Sequence, residues 1–313
     1  MQNRRDFIKN TVTLALGGLM LPNFADAFSE AKKVKNFGVQ LFTTMSVIDK
    51  DVEGTLKQIA AIGYKEIESA FSMKGGYYGM KPKEFAKLVS DLGMSWQAHH
   101  VNGAPFRRPG GTPPPAAPTA DGKPAPARPQ MPPMKNLLND TQQIVDEAAE
   151  GGVKYLVCAS IPVNKMEEIK MSLEILQKAA EAAKKAGLNF IYHNHTAEFE
   201  MVEGQRPFDM MASQISADLL KFELDLAWAT KAGVNIPELF KKHPGRFPLF
   251  HVKDLNKETQ RPVEVGTGYI DFKPIFAAAK MAGAKHFFIE QDGAPSPVEN
   301  LTTSFNNLKK MMA

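Results

Sequence analysis

The chain has 313 residues, 43% hydrophobic and 23% charged, with a formal net charge of +4. This supplies the core of one large domain, and the small, dispersed positive charge excludes the basic track that nucleic-acid partners require. The one cysteine, Cys158, excludes an intramolecular disulfide; within the apolar run Tyr155–Ala159 it reads as a small buried thiol. No apolar run reaches the roughly 18 to 20 residues of a membrane span.

At the N-terminus, Arg4-Arg5 and Phe7-Ile8-Lys9 precede the apolar stretch Val12–Leu21 and then Ala25-Asp26-Ala27, with small residues where a signal peptidase reads. The pattern resembles a twin-arginine export signal, with Asn3 where that signal usually has Ser or Thr. Residues 1–27 are therefore expected to be a leader. Residues 28–313 would form the mature domain, periplasmic or exported, with no membrane anchor.

From Phe37 the chain alternates β-prone runs with amphipathic helices. Strand Phe37–Phe42 leads to helix Val52–Ile62, strand Tyr64–Ala70 to helix Pro82–Leu92, and strand Met94–Val101 to helix Leu137–Glu150. Strand Val153–Ala159 and helix Met166–Ala186 follow, then strand Leu188–His193 and helix Phe208–Ile215. Strand Leu220–Asp225 precedes helix Ile236–His243, strand Phe247–Val252 precedes helix Phe272–Ala282, and strand His286–Glu290 precedes helix Val298–Met311. This repetition implies parallel pairing with right-handed crossovers. Eight units in about 280 residues predict a single-domain α/β fold, the closed (β/α)8 TIM barrel. One segment breaks the rhythm. Residues 103–133, after strand three, are rich in proline and poor in large apolar side chains, so they are expected to form a long extended loop on the C-terminal face. Phe106, Arg107 and Arg108 near its root are candidates for contacting a substrate.

Strands five to eight end at His193, Asp225, His251 and Glu290. A barrel gathers the ends of parallel strands at one rim, so these four are expected to converge on one divalent cation. Two imidazole nitrogens and two carboxylate oxygens suit Mn²⁺, Zn²⁺, Co²⁺ or Fe²⁺ better than Mg²⁺. His99 and His100 are adjacent on strand three, so only one of them can point inward, to bind hydroxyls or shuttle protons. Lys253 lies on the same side of its strand as His251, where it could stabilise an enolate or form an ion pair with Asp225 or Asp254. His195 and Glu198 are acid/base candidates in the loop after strand five, and Trp228 is a platform for a sugar ring or a core residue.

At these positions the chain resembles the xylose-isomerase-like TIM barrel family, which includes sugar isomerases and epimerases, inosose dehydratases and endonuclease-four barrels. The resemblance rests on His251-Val252-Lys253-Asp254, the turn Val265-Gly266-Thr267-Gly268 with Asp271-Phe272, and Glu290-Gln291-Asp292. The family's usual ligands are Glu, Asp, His and Glu at the ends of strands five to eight. Asp225, His251 and Glu290 match the last three, whereas His193 stands where Glu is more frequent. The form Tyr192-His193-Asn194-His195 with Glu198-Phe199 resembles a subgroup known only as sugar isomerase/epimerase. Glu68 is similar to the family's substrate-facing Glu of strand two.

The resemblance implies a metal-dependent isomerase or epimerase acting on a small-molecule carbohydrate. Glu290, Lys253, His195 or Glu198 would move a proton beside a metal-polarised carbonyl. Glu68, His99, His100, Trp228 and Arg107 would bind the substrate. A metal-dependent lyase or dehydratase on a keto-sugar or keto-glycoside is the nearest alternative, and a non-catalytic carbohydrate-binding barrel is a second. Whether the chain forms a homo-oligomer is left open.

Overall fold

The computed structural model describes residues 37–105 and 134–312. Residues 1–27, expected to be a leader, and most of the segment 103–133, including Phe106, Arg107 and Arg108, lie outside the described residues. The strands in chain order are β1 (Gly38–Gln40), β2 (Glu66–Ser69), β3 (Ser95–Asn102), β4 (Tyr155–Ser160), β5 (Asn189–His193), β6 (Leu220–Asp225), β7 (Leu249–Val252), β8 (Asp254–Leu255), β9 (Pro262–Val263) and β10 (His286–Ile289). Strands β1–β7 and β10 form a closed parallel barrel, with β10 between β7 and β1. Strands β8 and β9 make a small antiparallel pair outside it. Among the described residues no helix is long and apolar enough to cross a membrane.

Local chemistry sets the boundaries. Asp51 accepts the Gly54 amide and starts helix Val52–Ile62, while Asn136 and Asp271 cap Leu137–Gly151 and Phe272–Ala282 in the same way. The first strand ends earlier than its apolar run suggests. The Gln40 side chain accepts the Phe42 amide and turns Leu41–Thr44 into a short 3-10 helix. A helix that hydrophobic period does not reveal, Leu226–Lys231, begins because Asp225 Oδ1 accepts the Trp228 amide at 2.9 Å.

Two apolar clusters divide the packing. The larger one lies between the outer strand faces and the surrounding helices. The smaller one, Ala98, Tyr155, Val157, Ile191, Leu249 and Phe288, plugs the barrel. At the N-terminal end of the plug, Glu66 Oε2 meets His286 Nδ1 at 2.8 Å. At the other end lies a layer of buried ionisable groups. The plug thus separates that layer from the bottom of the barrel.

Phe288 fits because residue 38 is glycine: a Cβ there would stand 2.3 Å from the Phe288 ring and 3.2 Å from Glu66 Cβ. A second close approach organises the loop after β7. The buried Asp254 carboxylate accepts the amides of Leu255, Gly266, Gly268 and Ile270 at 2.9, 2.9, 3.0 and 3.2 Å. A Cβ on Gly268 would lie 2.2 Å from Asp254 Oδ1. The Val265–Gly268 motif is therefore a backbone wrap around one carboxylate. Gly38→Ala should destabilise the protein by about 1–3 kcal/mol through overpacking of the plug. Urea unfolding at fixed metal content checks this through the midpoint, with an unchanged slope.

Candidate metal centre

Side chains alternate across a strand, so Glu223 with Asp225 and His251 with Lys253 turn to the same face. Strand β6 lies between β5 and β7, and Asp225 is paired in register with His251. These neighbours bring the four expected donors into one buried region above the plug. His251 Nδ1 is 2.8 Å from Glu290 Oε2 and 3.9 Å from Asp225 Oδ2, and His193 Nε2 is 4.0 Å from the same Asp225 oxygen. Ligand atoms of Asp225, His251 and Glu290 all lie within 4.8 Å of one another.

A second group lies beneath and shares His251. Ligand atoms of His100, His193, Glu223 and His251 are also mutually within 4.8 Å. Glu223 Oε2 alone meets His100 Nε2 at 2.8 Å, His193 Nδ1 at 3.1 Å and His251 Nε2 at 3.1 Å. Glu68 Oε2 meets His251 Nε2 at 2.6 Å, and Glu68 Oε1 lies 3.3 Å from His100 Nε2. His193 and His251 thus face the lower carboxylates with one ring nitrogen and the upper ones with the other.

Ionisable groups this deeply buried exist only because they compensate one another. Burial pushes the His251 imidazole down, but Glu223, Glu290 and Glu68 outweigh it and hold it well above its ordinary value. His100 behaves alike: against burial, Glu68 and Glu223 raise it to about 9. Burial holds His193 well below its usual value, reinforced by the positive charge of His251. Burial raises Glu223 and Glu290, yet His251 beside Glu223, and Lys253 with His251 beside Glu290, keep both carboxyls well below the usual range. Lys253 Nζ contacts Asp225 Oδ2 at 3.0 Å, Glu290 Oε2 at 2.6 Å and Asp292 Oδ2 at 2.8 Å. Despite burial, these three carboxylates keep it protonated.

Several expectations change in this setting. Glu68, expected to face a substrate, is fully buried outside the cavity lining and holds His251 and His100 from below. Glu198, an acid/base candidate, lies outside the cavity lining and is held in the framework: Tyr192 Oη donates to one of its oxygens and the His195 amide to the other, both at 2.7 Å. The His195 ring stands over the floor, its centroid 5.0 Å from that of His193. His100 is the inward member of its pair, stacked at 5.2 Å on His251. His99 turns outward to Ser69 Oγ at 2.7 Å, and burial lowers it to about 3, so it reaches the cavity wall as a neutral ring. Trp228 does not line the cavity; its face carries Lys253 Nζ 5.1 Å from the ring centroid. Lys253 pairs with Asp225 rather than Asp254. Arg107 lies outside the described residues.

Sequence reasoning assigned no role to Glu223, nor to Asp292 and Asn194, which stood in the quoted motifs. Glu223 carried a signal: a carboxylate inside an apolar strand with the parity of Asp225. Asn194 Oδ1 accepts the Asp225 amide at 3.1 Å, which ties the end of β5 to the end of β6.

A cavity of ≈ 370 Å³ opens over this floor. Its lining includes His193, His195, Lys253 and Glu290 together with the aromatic rings of Phe42, Phe71 and Tyr77. Asp225 Oδ2 is buried and forms no hydrogen bond, only ionic contacts with Lys253 and, farther off, with the His251 and His193 rings. An under-satisfied carboxylate oxygen beside two imidazole nitrogens and a second carboxylate is a donor set that fits a divalent transition-metal ion.

The sequence profile of the xylose isomerase-like TIM barrel matches residues 56–311, and the chain belongs to that family. Among characterised relatives, the inosose dehydratase of Geobacillus thermodenitrificans is 25% identical over 153 residues, 42% of this chain and 51% of that protein. The chain thus aligns with about half the length of that relative. A crystal structure of a sugar phosphate isomerase/epimerase from Parabacteroides distasonis superposes with a TM-score of 0.67 at 23% identity, covering 87% of this chain and 92% of the other. The IolI protein, solved with a bound zinc atom, superposes at 0.64 with 16% identity over 88% of this chain and 97% of the other. These superpositions establish the shared barrel.

Asp225→Ala and His251→Ala should each reduce bound divalent metal in the purified protein to a small fraction of the wild-type content. Elemental analysis after dialysis checks this, with circular dichroism confirming that the barrel persists.

Proposed function

We propose that this chain is a divalent-metal-dependent enzyme of the sugar isomerase and epimerase class, moving a proton at the carbon beside a carbonyl of a sugar, cyclitol or keto-sugar. The supporting observation is the clustering of Glu290, Lys253 and the His251–Asp225 pair at the floor of one cavity. His193, Asp225, His251 and Glu290 would hold the metal, which supplies Lewis acidity at the carbonyl oxygen when bound.

The remaining work falls to the chain's own side chains. Glu290, kept as a carboxylate by Lys253 and His251, takes the proton from the carbon. The Lys253 ammonium, fixed by Asp225, Glu290 and Asp292, stabilises the charge that develops on oxygen. His195, beside His193 at the cavity wall, returns or relays a proton. Both lysines among the described cavity-lining residues are already paired, Lys135 with Glu147 and Lys253 with its three carboxylates. That arrangement favours a neutral substrate over a phosphorylated one. A periplasmic or exported location, proposed from the leader-like residues 1–27, agrees with this.

A second reading is elimination, as in a dehydratase or lyase acting on a keto-sugar or keto-glycoside. Two observations favour it. The sequence relative named above is an inosose dehydratase. With Glu198 held by Tyr192 and His195, Glu290 and Asp292 are the carboxylates that line the cavity beside Lys253, and elimination needs one such base.

The experiment is proton NMR in D₂O of the metal-loaded protein with ketoses, inososes and 3-keto-glycosides. Deuterium should enter the substrate carbon beside the carbonyl, and Glu290→Gln should slow this by roughly 10²–10⁴-fold. Interconverted sugars would identify an isomerase or epimerase; loss of water or aglycone would identify a lyase. Sugar binding without any exchange would overturn the enzymatic reading in favour of a carbohydrate-binding barrel.

A further inference from the structure

Beneath the expected ligands, one carboxylate oxygen serves three imidazoles. Glu223 Oε2 lies 2.8 Å from His100 Nε2 and 3.1 Å from both His193 Nδ1 and His251 Nε2. Glu223 is fully buried, and its Cα is the register partner of His193 across β5 and β6. Its position is set by the sheet, as is that of His251, whose strand pairs with β6 on the other side. A carboxylate oxygen only accepts hydrogen bonds, so each ring nitrogen facing it carries a proton. In a neutral imidazole the opposite nitrogen is then the lone-pair donor. For His193 that nitrogen is Nε2, which faces Asp225 Oδ2; His251 Nδ1 faces Asp225 Oδ2 and Glu290 Oε2 and becomes a donor when an ion displaces the proton it shares with Glu290.

We propose that Glu223 is the positioning residue of the metal centre: it fixes both ligating imidazoles in the tautomers that aim His193 Nε2 and His251 Nδ1 at the Asp225–Glu290 side, and it raises their donor strength. This rests on the metal-dependent reading above. His100 completes the unit, because its ring lies against both lower carboxylates and offsets their charge. Glu68 supports the same His251 nitrogen from the other side, at 2.6 Å.

The test uses the full chain loaded with Co²⁺ or Zn²⁺. Glu223→Gln should weaken Zn²⁺ binding about 10- to 100-fold in chelator competition and shift the visible Co²⁺ spectrum. Glu66→Gln, which alters the inward carboxylate at the opposite end of the plug, should leave both readings at wild-type values. Long-range ¹H–¹⁵N spectra of the zinc-loaded wild-type protein read the tautomers with no substitution, so the proposal stays testable even where the variant folds poorly. The expected result is a protonated Nδ1 on His193 and a protonated Nε2 on His251. Unchanged metal affinity and Co²⁺ spectrum in Glu223→Gln, or the opposite tautomers, would overturn the proposal. So would two ions per wild-type chain falling to one in Glu223→Gln, since Glu223 would then be a ligand itself. Whether sugars exchange hydrogen with D₂O is read separately and does not enter this test, so the positioning role and the proposed reaction fail independently.

Discussion

Compensation of buried charge is the constraint on which the rim of this barrel depends. Closing eight parallel strands forces their ends together, and here those ends carry carboxylates, imidazoles and a lysine shielded from water. An isolated ion in such a place would be neutralised or would destabilise the fold. The rim avoids both outcomes by stacking two layers. Lys253 gathers Asp225, Glu290 and Asp292 above, and His100 gathers Glu68 and Glu223 below. His251 belongs to both layers, one ring nitrogen in each.

The four residues Tyr192–His195 show how one short stretch is divided among jobs. Tyr192 points away from the barrel axis and fastens Glu198, which in turn holds the His195 backbone. His193 points inward to the carboxylates. Asn194 holds the amide of Asp225 on the next strand. His195 then stands at the cavity wall with its backbone pinned. Alternation along the strand separates framework roles from chemical ones, so neighbours in sequence act in different environments. Asp254 follows the same logic: it stands next to Lys253, yet its carboxylate serves only the backbone of a turn.

The floor's polarity also bears on what can be bound there. Charged groups and aromatic rings line the same cavity, so it offers both polar partners and apolar surface to a ligand. Family membership places the chain among barrels whose members include isomerases, epimerases and dehydratases. Proton transfer beside a carbonyl is the step these activities share, and the residues at the floor are of the types that step requires.

Periodicity and strand-end chemistry in the sequence determined the barrel, most helix limits and the approach of Asp225, His251 and Glu290 to one another, because strand alternation and the geometry of a closed sheet leave few other arrangements. His193 groups instead with the donors beneath, through the shared His251. Local hydrogen bonds could not be read in advance: Gln40 shortening β1, or Asp225 starting a helix. Only the tertiary structure decided which carboxylates serve which imidazoles. Glu223, Glu68 and Glu198 look alike in sequence, each an acid near a β-prone run. Glu223 and Glu68 lie under the imidazoles because β2 and β6 point them into the barrel, whereas Glu198 was claimed by a tyrosine facing the other way. Partner choice among buried charges depends on distances of a few ångströms between strands far apart in the chain, and that information exists only once the sheet has closed.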